Sequence, residues 1–351
     1  MTASIRLSRR DLLSSALALG TSVLIPSAVA QAQAGGGGIA TGAPPPRTTP
    51  RPGTWLVLLG TRGGPGVDPT RGQTASAVVV DGRPYLIDCG YGTVRQLVAS
   101  NVGYLQVSTI FFTHLHDDHT GDLAALLSYQ WTNGKTTPTD AYGPYGTERL
   151  VTAAVAFLHT NAEIRTVDEG RTVDADKQFH GHDAPAEAAP VEIFKDDRVR
   201  VTAIENAHFP ERSKARMPYR SLALRLDTKE RSLVFSGDTA YSANVAKLAR
   251  GADLFVCEVV DESVLEQMRQ RAREAAARGD VNNVYRHVAE THSSPADVAR
   301  MASEAGVKTV VLNHQVPGPA ATLAYPVTAF VQAVRQGFTG EVIVGQDLMV
   351  L

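Results

Sequence analysis

The sequence predicts an α/β fold, on three observations. Runs of β-branched and aromatic residues alternate with helical patterns through two similar halves of the chain. No internal repeat at a solenoid or propeller period interrupts that alternation. With 351 residues, 43% of them apolar and 20% charged, the chain can bury one large core or a large two-layered unit.

The elements follow in order. The first half has expected strands near 54–59, 74–80, 84–88 and 109–113, and helices at 91–100, 121–131 and 146–160. Asp81-Gly82 marks a hairpin turn between the second and third strands. Ser108 to Thr113 is β-branched and aromatic, as a buried strand should be. The second half has expected strands near 191–194, 199–205, 220–226, 231–236, 253–259 and 308–312. Its helices are expected at 242–250, 262–278, 294–305 and 325–336. Asp196-Asp197 turns the chain between the first two of these strands, and Leu222, Leu224 and Leu226 alternate with Ala223 and Arg225, a half-buried antiparallel pattern. Two segments read as insertions on the core. Thr166 to Pro190 is polar and carries His180 and His182. Asp261 to Glu290 carries an amphipathic helical stretch ended by Gly279.

Residues 1–34 stand apart from the fold. Ser8-Arg9-Arg10-Asp11-Leu12-Leu13 is a twin-arginine pattern, followed by the apolar run Ala16 to Val29 and small residues up to Ala30 or Ala34. A charged start, a short apolar stretch and such an end together read as an export signal, which predicts a periplasmic or secreted protein. Gly20, Thr21, Ser22 and Pro26 make the run too weakly apolar for a stable membrane span. Residues 35–52, with four consecutive glycines and a proline cluster, read as a tether, leaving 53–351 as one domain. The formal charge of −2 falls to about −4 once the leader's Arg6, Arg9, Arg10 and Asp11 are set aside. Cys89 and Cys257 each lie in an apolar strand and read as two buried free thiols.

The chemistry is concentrated in Thr113-His114-Leu115-His116-Asp117-Asp118-His119. Four potential metal ligands, His114, His116, Asp118 and His119, lie within six residues at the end of a buried strand. His114 and His116, two apart, can face one metal, while Asp118 and His119 are carried round the turn toward a second. Other candidates also follow strands. His208 comes after 199–204, Asp238 after the apolar run Ser232 to Phe235, and His314 after Thr309 to Asn313. Asp238 could alternatively cap the helix that follows it. His292 stands before a helix starting near Ala296, and Asp88 ends a strand of its own.

The HxHxDH run is the signature of the metallo-β-lactamase superfamily. From about Trp55 to Leu351 the chain resembles that superfamily's ribonuclease Z and arylsulfatase-like branch. Leu59-Gly60-Thr61-Arg62-Gly63-Gly64-Pro65 resembles its opening glycine loop, Leu86-Ile87-Asp88-Cys89-Gly90 its structural aspartate, Ser236-Gly237-Asp238-Thr239 its bridging aspartate and Leu312-Asn313-His314 its last histidine. Taken with the element order, the resemblance implies an αββα four-layer sandwich, two mixed sheets covered outside by helices. It also implies two metals. One would take His114, His116, His208 and Asp238, the other Asp118, His119, Asp238 and His314. Asp88 would orient the histidine loop, and Asp118 and His292 are the residues expected to act in catalysis, His292 by protonating a leaving group. Imidazole and carboxylate without thiolate suit two zinc ions first, with iron or manganese as alternatives.

The resemblance and the charge together predict an exported dinuclear hydrolase of a small-molecule ester, a phosphodiester or aryl sulfate. Arg212, Lys214, Arg216 and Arg220 crowd the loop beside His208 and suit an anionic substrate. A carboxylic ester or lactone hydrolase, a β-lactamase and an inactive metal-binding scaffold are the alternatives; a bridging Asp238 departs from the β-lactamases. No nucleic acid is expected, because the leader, the acidic balance and a segment from Phe209 to Tyr219 too short for the long RNA-gripping arm of ribonuclease Z all argue against it. A homodimer is the only protein partnership expected.

Overall fold

Two sheets face one another because most of the strands are apolar on both sides. The computed structural model describes residues 52–279, 284–316 and 327–351, so the leader and all of the tether but Pro52 lie outside the described residues. The first sheet runs, in spatial order, β1 (Thr54–Gly60), β2 (Ala75–Val80), β3 (Arg83–Ile87), β4 (Thr109–Phe111), β5 (Thr139–Gly143) and β6 (Phe179–Asp183). β1 to β3 pair antiparallel and β3 to β6 parallel. Its helices are α1 (Thr93–Ala99), α2 (Asp117–Thr120), α3 (Leu123–Thr132) and α4 (Thr147–Glu169).

The second sheet takes β7 (Val191–Lys195), β8 (Val199–Glu205), β9 (Leu222–Thr228), β10 (Ser232–Phe235), β11 (Leu254–Val260), β12 (Thr309–Val316) and β13 (Glu341–Val344) in consecutive order. β7 to β10 are antiparallel and β10 to β13 parallel. The remaining helices are α5 (Glu211–Lys214), α6 (Ala243–Leu248), α7 (Glu262–Ala277), α8 (Val284–Thr291), α9 (Pro295–Ala305) and α10 (Val327–Arg335).

The two-residue period of the strands sorts most of the apolar side chains into three large cores. Leu56 and Leu58 of β1 point between the sheets, where they join Phe111, Leu224 and Val256. Trp55, Val57 and Leu59 point the other way, under Leu97 of α1, Leu126 of α3 and Val155 of α4. On the second sheet Leu254 and Val256 face inward, while Phe255 and Cys257 pack under α6, α9 and α10 through Ala246, Met301 and Val334. The expected αββα sandwich is therefore the observed one. Cys89 and Cys257 are buried free thiols in two different outer cores, which keeps them apart.

The segment 166–190 is more than an insertion, contrary to its sequence reading. It supplies β6, the edge of the first sheet, paired parallel with β5. Phe179-His180-Gly181-His182-Asp183 is an exposed edge with little apolar signal, and Thr139-Asp140-Ala141-Tyr142-Gly143 is hardly stronger, so periodicity passes over both. The helix expected at 262–278 is α7, and α8 follows it within the same segment. No helix of the described residues is long and apolar enough to cross a membrane.

Strand direction positions the site. β10, β11 and β12 run parallel, and β8 is antiparallel to β9, which is antiparallel to β10, so all four deliver their C-terminal ends to one edge. Leu224 is fully buried between the sheets. Leu224→Ala should cost about 2–5 kcal/mol, read as a lower urea midpoint with an unchanged slope.

Candidate metal centre

The chain leaves β4 at Phe111 and turns at once, because Asp88 holds the next residues in place. Asp88 sits at φ +58, and its Oδ1 accepts from the Thr113 amide at 2.8 Å. Its Oδ2 lies 2.8 Å from His119 Nδ1. That contact fixes the His119 ring and leaves Nε2 for the centre of the site. His116 then precedes α2, whose first turn carries Asp118 and His119.

The structure brings all seven expected ligands together in two adjoining groups. In the first, His114 Nε2 lies 2.9 Å and His208 Nε2 3.2 Å from His116 Nδ1. His208 Nδ1 lies 3.3 Å from the Thr291 carbonyl, a contact that leaves Nε2 to face its neighbours. In the second, His314 Nε2 lies 3.1 Å from Asp118 Oδ2 and 3.1 Å from Asp238 Oδ1, and His119 Nε2 is 3.2 Å from the same Asp238 oxygen. Asp238 Oδ2 turns toward the first group, 3.7 Å from His114 Nε2. Asp238 does not cap the helix that follows, since Ser242 takes that role for α6.

Two backbone devices aim these groups. The β11–β12 pairing slips between Glu258↔Asn313 and Val259↔Gln315, so His314 is the extra residue of a bulge, at φ +38. The glycine loop before β2 presses against the second group from the other side. The Gly64 amide donates to Asp118 Oδ2 at 2.7 Å, and a Cβ there would overlap that carboxylate. A Cβ on Gly63 would come within 2.9 Å of the His314 ring.

Electrostatics separate the halves. Burial pushes His114 and His208 well below the ordinary imidazole value. Burial opposes charge on His314 too, but Asp238 and Asp118 outweigh it and hold His314 up at about 10, while carboxylates raise His119 in the same way. The carboxylate-rich half thus demands positive charge. His119 Nε2, Asp238 Oδ1 and His314 Nδ1 are buried, and although the first two approach to 3.2 Å, none of the three meets a partner in hydrogen-bond geometry. Buried polar atoms are seldom left so, and divalent cations bound by imidazole and carboxylate would satisfy the first two directly.

His292, expected near the site from its place before a helix, is buried against it. Its Nδ1 lies 2.7 Å from Glu258 Oε2 and 3.9 Å from Asp238 Oδ2. Burial works against a charge on His292, yet Glu258 beside it keeps the imidazole above its usual value. The segment is pinned by the Val260 amide on the Ser293 carbonyl at 2.8 Å and by Ser293 Oγ on the Thr239 carbonyl at 2.6 Å. Two neighbours escaped the sequence reading. Glu258, the lone charge in the apolar strand LFVCEVV, also accepts from the Thr239 amide; a buried acid at a strand end was the available signal. His287 of α8 has its ring 5.1 Å from His208 and 5.8 Å from His116, and nothing in its amphipathic helix marks it out. His180 and His182 stay away from the centre, on β6 beside Asp140 of β5.

Residues 83–315 match the family model described as the β-lactamase superfamily domain, which covers well over half of the chain. The protein belongs to the metallo-β-lactamase superfamily and is a metal-dependent hydrolase. Ribonuclease Z of Mycobacterium avium (strain 104) is 29% identical to it over 299 residues, spanning 84% of this chain and 96% of the relative. Among solved structures, the metallo-β-lactamase fold protein YhfI from Bacillus subtilis aligns with a TM-score of 0.58 at 16% identity, covering 85% of this chain and 99% of that one. The short form of human tRNase Z aligns with a TM-score of 0.56 at 23% identity, covering 85% and 98%.

These relatives correct the substrate expectation. Ribonuclease Z is an enzyme of RNA, and the reading of a small-ester hydrolase with no nucleic acid partner is overturned by a match along nearly the whole relative. The physical reason is that a charge sum is global, whereas RNA is met by a local surface. The loop after His208 is built as α5, and three of its four cations stand in a local network. Lys214 and Arg220 pair with Glu205 at 2.8 and 3.6 Å, and Arg212 with Glu290 at 2.5 Å. The leader lies outside the described residues.

Gly64→Ala tests the close approach at Asp118. It should keep the fold and the first group of ligands, yet lower the affinity for one metal ion, measured as a drop in bound metal per chain under dialysis.

Proposed function

We propose that the protein is a dinuclear phosphodiesterase that cleaves RNA, as the name of its ribonuclease Z relatives describes. The carrying observation is the extent of that match, 299 residues and 96% of the relative, on a chain whose two ligand groups meet at one carboxylate. His114, His116, His208 and Asp238 would hold one ion, and Asp118, His119, Asp238 and His314 the other. The donor set fits zinc. Such a pair of ions supplies Lewis acidity and lowers the pKa of water toward neutrality.

The chain's own groups do the rest. Asp118, ionised because His119 and His314 outweigh the cost of its burial, orients the attacking water. The water oxygen bonds to phosphorus as the bond to the leaving ribose oxygen breaks. Glu258 favours the protonated form of His292 and points the ring through Nδ1, so that Nε2 gives its proton to that leaving oxygen. Asp238, shared by both groups, keeps them at one spacing.

The test is cleavage of a transfer RNA precursor by metal-loaded protein. Specific cleavage, lost on chelation and restored by zinc, is expected. Protein that holds two ions and hydrolyses bis(p-nitrophenyl) phosphate but leaves the RNA intact would sink the RNA reading. Asp238→Ala should lose both ions, by metal analysis of the purified variant. His292→Ala should keep both ions and lower kcat on RNA on the order of 10²–10⁴-fold. The loss should be smaller on the nitrophenyl ester, whose leaving group needs little protonation.

A further inference from the structure

Beside the metal centre lies a second cavity, of about 470 Å³, and His116 lines both. Its size is that of a small-molecule pocket. Phe209, Tyr219, Met217 and Leu150 contribute to its walls, and among the described residues the exposed Arg149 is the one charged side chain that lines it. The walls are built in place. The Phe209 ring sits 5.5 Å from that of His116, and Tyr219 is 6.0 Å from Tyr145. Gly146, at φ +102, leaves no room for a side chain: a Cβ would stand 2.9 Å from the Tyr219 ring and 3.1 Å from Leu115. An aromatic, largely apolar chamber with one guanidinium, next to a centre for phosphodiester cleavage, matches a planar ring attached to a phosphate.

We propose that this cavity is the subsite for the nucleobase next to the cleaved phosphodiester, stacked against Phe209 and Tyr219 with Arg149 toward the backbone. The assignment of a base rather than another ring rests on the RNA reading above. Stacking on aromatic side chains tolerates any base, so the subsite sets position along the strand more than sequence.

Ala153 of α4 lines the cavity from an exposed position, so Ala153→Trp fills the space without disturbing the core or the metal ligands. In this variant the KM for bis(p-nitrophenyl) phosphate, which has a ring on either side of phosphorus, should rise roughly tenfold, with kcat and bound metal unchanged. Tyr219→Ala should move KM the same way. For RNA, an abasic site at one of the two nucleotides flanking the cut should reproduce that loss in the wild type and add nothing to Ala153→Trp. If RNA is not cleaved but the nitrophenyl effect holds, the RNA reading fails and the cavity stands as a ring subsite. Should RNA be cleaved with neither the abasic sites nor Ala153→Trp changing kcat/KM, the subsite is overturned and the RNA reading stands.

Discussion

The carboxylate of Asp238 is the point on which the site depends. It is almost fully buried, and its two oxygens face different histidine groups, Oδ1 toward His119 and His314 and Oδ2 toward His114. A carboxylate removed from water is costly unless cations or donors surround it. That cost explains the architecture around it. Four strands of one sheet and the end of β4 from the other converge there; β8 and β12 bring His208 and His314, and the turn after β4 brings His114, His116 and His119.

A second layer of contacts sets the rings at useful angles. Asp88 holds His119, the Thr291 carbonyl holds His208 and Glu258 holds His292, each through Nδ1. Turning an imidazole through its far nitrogen leaves Nε2 for the chemistry and makes it a better donor to a metal. Gly63 and Gly64 complete the enclosure, since backbone can approach Asp118 and His314 more closely than any side chain would permit. The open side falls to α5 and α8. Arg212 of α5 is tied to Glu290 of α8, and α8 brings His287 against His116 and His208, where burial pushes it down to about 4. Arg149, exposed and without an ion pair among the described residues, lines the neighbouring cavity that His116 also lines.

By itself the sequence determined the architecture and the set of candidate metal ligands that the fold brings together. The strands of the core are apolar on alternating or both faces, and that pattern survives in one dimension. The run from His114 to His119 packs four ligands into one turn, so their proximity needs no fold to be seen. His208, Asp238 and His314 each end a strand, a position that an α/β sheet reserves for its site. What the tertiary structure decided are relations that no single segment carries. β5 and β6 are strands because neighbours pair with them, not because their side chains demand it. Glu258 becomes the partner of His292 only when β11 and the entry to α9 meet, and His287 reaches the centre only through the way α8 lies across it. The ring-sized cavity beside His116 joins α4 to the loop after His208, about sixty residues away in sequence. Such contacts depend on register, crossing and close approach between distant segments, and these belong to the folded chain alone.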